Sequence, residues 1–181
     1  MSLLPLASEL NSGAEIVELW KGFRKQVLEC ISKTPDSEFQ NRPELGGWSI
    51  SEIAEHIYLS QFTIVRAVPV VLAGKVGFDS DEQADLDLRK MRISLSKPTG
   101  FKNPEAVSPL SNYKKEEVLP LLEKSEKKMI DSLQNRTKVE LQKRGLEHPA
   151  FGKLNLFNYT WAMSLHENMH LGAMKQKTEK F

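Results

Sequence analysis

The segment from Lys75 to Tyr113 limits most sharply what this chain can fold into. It mixes glycine, prolines at 98, 104 and 109, an acidic patch from Asp79 to Asp87 and a short basic stretch from Arg89 to Arg92. Apart from one short helix expected near Asp81 to Met91, it has no helical or strand period, yet it separates two strongly periodic stretches. Antiparallel neighbours need only a few linking residues, so a connection this long suits helices that start at the same end. The sequence therefore predicts an all-α, up-up-down-down four-helix bundle with a long crossover between helices two and three.

The helices are read from their apolar stripes. From about Leu10 to Lys33, Ile16, Leu19, Trp20, Phe23, Val27 and Ile31 recur at helical spacing, with Asn11 or Ser12 as cap. Thr34-Pro35-Asp36 closes this helix, and the glycine- and proline-punctuated loop Asn41 to Gly47 follows. The second helix opens at Trp48-Ser49-Ile50-Ser51-Glu52, where Ser49 and Glu52 have the spacing of a capping box, and Pro69 kinks or ends it before Gly74. The third spans roughly Lys114 to Arg136, with Pro120 in its first turns. After the turn-rich connector His148-Pro149-Ala150-Phe151-Gly152, the fourth runs from about Asn155 to Lys177. Its core stripe is Leu154, Trp161, Leu165, Met169 and Gly172. No internal repeat is visible, and the tail from Lys175 to Phe181 is expected to fray.

With 181 residues the chain suits a single domain over 1–181, large enough to bury a core without staples. Its 25 basic and 24 acidic residues leave no field that would gather nucleic acid, and no apolar run approaches a membrane span. The lone Cys30 falls inside a helical pattern and reads as packing. The start lacks the basic and apolar regions of a secretory signal, so cytoplasm is the expected compartment.

Two of the four histidines, His166 and His170, sit four residues apart on the last helix, where Cβ atoms are about 5–6 Å from each other. They can share one cation, and a third ligand must come from elsewhere. His56 is the best supplier. At 100° per residue, Glu52, Ser60 and Thr63 lie within about 40° of it, forming a polar seam between Ile53 and Ile64. Glu52 is the candidate catalytic carboxylate, placed to orient His56 or to act as a base. His166-Glu167-Asn168-Met169-His170 also spells H-E-x-x-H, but no histidine follows to complete a zincin site. Glu167 points about 100° away from His166 and reads equally well as a solvated charge. His148, in its connector, reads as a loop hydrogen bond or packing residue.

Trp48-Ser49-Ile50-Ser51-Glu52-Ile53-Ala54-Glu55-His56, His148-Pro149-Ala150-Phe151-Gly152, and His166 with His170 together resemble, in order and spacing, the DinB/YfiT-like family of small bacterial metalloproteins. The resemblance implies a four-helix bundle, frequently a homodimer, with a divalent metal at one end held by His56, His166 and His170. It also implies a small-molecule substrate, with hydrolysis or transfer of a low-molecular-weight thiol as the chemistry. The expected activity is a nucleophile made from water or thiol by zinc, nickel, iron or manganese. The alternative is a non-catalytic, metal-binding or stress-associated bundle. A metal closed by four protein ligands, or a pocket filled by Trp161 and Met163, would mark that case.

Overall fold

The computed structural model describes residues 4–44, 46–96 and 103–178. Its long helices are α1 (Gly13–Lys33), α3 (Ile50–Leu72), α5 (Lys115–Leu133) and α7 (Leu156–Thr178), with short α2 (Asp36–Phe39), α4 (Leu88–Ser94) and α6 (Lys138–Gln142) between them. Ser12 caps α1 by accepting from the Glu15 N–H, and Thr34 closes it by donating its hydroxyl to the Cys30 carbonyl at 2.8 Å. Ser49 and Glu52 form the expected capping box of α3, an arrangement worth about 1 kcal/mol. Pro69 and Pro120 lie inside α3 and α5 on exposed positions, and neither ends its helix. Where each ring removes a backbone donor, water can satisfy the carbonyl left over.

The helix directions follow from named contacts. Along α1, Gly13 meets Arg136, Arg24 meets Leu122 and Thr34 meets Lys115, so α5 runs antiparallel to α1. Ser51 bonds the Tyr113 carbonyl and Ser132 the Val65 carbonyl, so α3 and α5 run parallel. Trp161 reaches Pro5 and Lys175 reaches Gln26, which sets α7 parallel to α1. The order is therefore up, down, down, up: the second and third long helices start at the same end, as the long connection predicts, but the overall order is not the expected up-up-down-down. The short link from Lys33 to Ile50 returns α3 antiparallel to α1, while the parallel pair α3 and α5 takes the long connection. Of that connection, residues 97–102, with Pro98, lie outside the described residues.

The expectation of an all-α chain needs a second correction. β1 (Phe78–Asp79), β2 (Arg144–His148) and β3 (Gly152–Asn155) form a small antiparallel sheet in that order. Gly145 makes it possible: a Cβ there would lie 2.3 Å from the Leu154 carbonyl oxygen and 2.7 Å from the Phe78 ring. The connector carrying His148 is thus the turn of a β2–β3 hairpin. The short crossover helix falls at Leu88–Ser94, later than expected, and α7 continues through Thr178 with Lys175 bonded to Gln26. The remaining tail, 179–181, lies outside the described residues.

The apolar core is divided in two. Ile16, Trp20, Val65, Val68, Leu133 and Trp161 belong to one half, and Val27, Ile31, Ile53, Leu122, Leu171 and Met174 to the other. Arg24, Gln61, Ser125 and Glu167, all buried, lie between the two halves on all four long helices.

Candidate metal centre

Helices α3 and α7 run antiparallel, and the second turn of α3 meets the middle of α7, which brings the three predicted histidines together. The Nε2 atoms of His56 and His166 are 3.3 Å apart and those of His170 and His166 3.1 Å; the three ligating nitrogens all lie within 4.8 Å of one another. His56 and His170 are buried and His166 is half-buried. Burial pushes the pKa of His170 down to about 3 and that of His166 well below the usual value, and the neighbouring imidazoles add to both shifts. His56 is lowered by burial too, against the opposing pull of the Val107 carbonyl. All three rings are therefore neutral at pH 7, the form that binds metal.

His56 donates Nδ1–H to that carbonyl at 2.7 Å, which fixes its tautomer and leaves a lone pair on Nε2. Glu55, the preceding residue, accepts from the Leu110 and Ser111 N–H groups and so holds down the chain just after Val107. His166 Nδ1 is buried and has no hydrogen-bond partner among the described residues. Whichever nitrogen of His166 carries the proton, hydrogen bonds alone leave part of this cluster unsatisfied, a cost ordinarily avoided in a protein interior. A tetrahedral cation with nitrogens at about 2.0–2.1 Å would space them about 3.3–3.4 Å apart, close to the His56–His166 and His170–His166 separations. The donor set and its spacing fit a divalent metal.

Glu52 stands apart from this cluster. Its carboxylate accepts from Arg42 and from the Ser49 N–H, and those bonds, against the opposing effect of burial, hold its pKa below the usual carboxylate range. The residue that orients His56 is on the crossover instead, which helical periodicity around His56 could not reveal. Trp48 is a second participant missed at the sequence level, its ring centroid 4.8 Å from that of His56 and 6.1 Å from that of His170.

Glu167 also differs from expectation. It is fully buried, and it accepts from Trp20 Nε1, Gln61 Nε2 and Arg24 Nε, the last at 2.7 Å. Arg24 further donates to Gln61, to the Leu122 carbonyl and to Ser125. Glu167 therefore belongs to an internal ion pair that joins the four helices, and is neither a zincin base nor a solvated charge.

Beside the histidines opens a cavity of about 870 Å³, lined mainly by apolar side chains of α3, α7, α4 and the β2–β3 hairpin. Met163 lines it without filling it, and Trp161 is directed away, donating to the Pro5 carbonyl at 3.0 Å. Among the described residues no further His, Cys, Asp or Glu joins the three imidazoles. Among the described residues no helix is long and apolar enough to cross a membrane.

Comparison with known proteins agrees with this architecture. A family model described as the DinB superfamily matches residues 13–174. Among solved structures, the chain is similar to YfiT from Bacillus subtilis, described as a probable metal-dependent hydrolase with an unusual four-helix bundle topology. The TM-score is 0.63 at 14% identity, covering 93% of this chain and 86% of that one. It is also similar to TT2238, described as a four-helix bundle protein, with a TM-score of 0.57 at 21% identity, covering 91% of this chain and 99% of that one. At these identities the likeness concerns the fold. No curated protein matches the chain.

Proposed function

The chain belongs to the DinB superfamily, and on that premise we propose a metal-dependent enzyme in which His56, His166 and His170 hold one divalent cation. The observation that carries this reading is the convergence of three neutral imidazole nitrogens, with no fourth protein ligand among the described residues, on the wall of a large cavity. A structural metal would be closed by four protein ligands, whereas three leave a position for a reacting molecule. An all-imidazole donor set suits zinc, nickel or iron.

A bound cation of this kind supplies Lewis-acid activation, which lowers the pKa of water or a small thiol toward neutrality. The chain's own part is to prepare the place. Val107 holds the tautomer of His56, Trp48 packs against two of the three rings, and the apolar walls seat a small substrate and limit bulk water. Hydrolysis and thiol transfer make the same demand on this geometry, so both belong to the proposal. Glu52 is assigned to the helix cap, with its hydrogen bonds to Arg42 and Ser49 in support.

The test compares metal-loaded wild type with H170A on aryl esters, for hydrolysis, and on an aryl halide with cysteine or glutathione, for thiol transfer. A metal-dependent rate that falls at least about 100-fold in H170A is the expected result. Equal rates from the metal-free and metal-loaded protein on every substrate would remove the catalytic reading.

A further inference from the structure

The cavity has a second polar feature, contributed by the hairpin and the first turn of α7. His148, at the end of β2, and Tyr159 both line it, and their rings pack together with centroids 4.9 Å apart. His148 Nδ1 accepts the Ala150 N–H at 3.1 Å, so that nitrogen carries a lone pair and the ring proton sits on Nε2. Burial keeps His148 neutral, with its pKa pushed down to about 4, and keeps the Tyr159 hydroxyl protonated by raising its pKa. Each residue thus presents one fixed donor. Neither donor is engaged by a described residue, and neither is among the buried polar atoms sealed from solvent.

The rest of the wall is mostly apolar. Ile53, Ile64, Leu95, Leu146, Phe151 and Met163 dominate it; Lys177 is its one charged side chain among the described residues, and none of the described lining residues is an aspartate, glutamate or arginine. A charged ligand would lose hydration over most of this wall without adequate replacement. A mostly apolar ligand with one acceptor oxygen loses little, provided that oxygen finds a donor.

We propose that His148 Nε2–H and Tyr159 O–H form a donor pair that binds the acceptor oxygen of an uncharged, mostly apolar carbonyl compound seated in the cavity beside the histidine cluster. The proposal deepens the enzymatic reading by naming a substrate class, and it rests on that reading only for its catalytic meaning. Binding through this pair requires no metal.

The experiment uses two probes of nearly equal shape, 2-acetylnaphthalene and 2-isopropenylnaphthalene, which differ in C=O against C=CH2. Their dissociation constants are measured by calorimetry on wild type, Y159F, H148A and H56A, with circular dichroism confirming that each variant is folded. The ketone is the more water-loving probe, so preference for it reports hydrogen bonding rather than apolar burial. In wild type the ketone should bind about 3- to 10-fold tighter than the alkene. In Y159F and in H148A that ratio should fall by at least about 3-fold, with alkene affinity little changed. H56A should keep the wild-type ratio, which separates this pair from the metal cluster even if no metal binds. An unchanged ratio in either Y159F or H148A, or no binding of either probe by wild type, would overturn the proposal.

Discussion

His166 and Glu167 are adjacent in sequence, and both contribute to polar clusters in the middle of the bundle, but the clusters are opposite in kind. The one around Glu167 is closed: Trp20, Arg24 and Gln61 all donate to its carboxylate, and Arg24 spends its remaining donors on Gln61, Leu122 and Ser125. The one around His166 is open, with three nitrogens facing one another and a buried Nδ1 that has no partner among the described residues. A satisfied buried network fixes register and asks for nothing more. An unsatisfied one lowers stability until something binds it, and its neighbouring cavity gives a ligand access.

The largest expected effect comes from opening the closed cluster. E167A leaves the Arg24 guanidinium buried without its counter-charge and should cost about 3–5 kcal/mol in chemical denaturation. Replacing both partners, as in R24M/E167M, should recover most of that loss, because the desolvation penalty disappears with the charges. A double variant as unstable as the single one would show that the ion pair itself, and not the stranded charge, is what matters.

Next in size is the effect of filling the open cluster. A divalent ion held 100-fold above its dissociation constant should stabilise wild type by about 2.7 kcal/mol, a shift absent from H166A. Without metal, H166A should be as stable as wild type or more so, since truncation removes an orphaned buried nitrogen. Thermal melts with and without zinc read both effects.

Glu52 gives a smaller contrast. E52A removes a cap and the partner of Arg42 and should cost about 1–2 kcal/mol, while metal stoichiometry stays unchanged. Loss of metal in E52A would bring that carboxylate back into the site.

A separate contrast is the pH dependence of the metal-free protein, which sums over four histidines. His148 protonates near 6.5 in the unfolded chain but only near about 4 when folded, so the unfolded state takes up the proton first as pH falls. Its contribution is therefore complete above 6.5 and is lost progressively down to about 4; the lowered values of His56, His166 and His170 act in the same direction. Guanidinium midpoints should fall from pH 7 to pH 5, less steeply in H148A.

Much of the open cluster was legible in the sequence because its geometry is helical: i, i+4 spacing places His166 over His170, and the capping box places His56 on its helix. The closed cluster was harder to see. Helical angle puts Glu167 about 100° from His166, but the partner it meets there is decided by α1, which packs against that side of α7. Arg24 follows Trp20 by four residues and shares its buried stripe, the one signal that could have revealed it. The helix directions and the sheet depended on where loops land. β1 is two residues long and β2 turns on a glycine, too little for a strand period to register.

The most direct test of the open cluster is metal content by elemental analysis of protein purified without a histidine tag, beside H56A and H166A. About one equivalent of a divalent metal per chain in wild type, with loss in both variants, is the expected result. Wild type that takes up no zinc, nickel, iron or manganese would contradict the reading of His56, His166 and His170 as a metal centre.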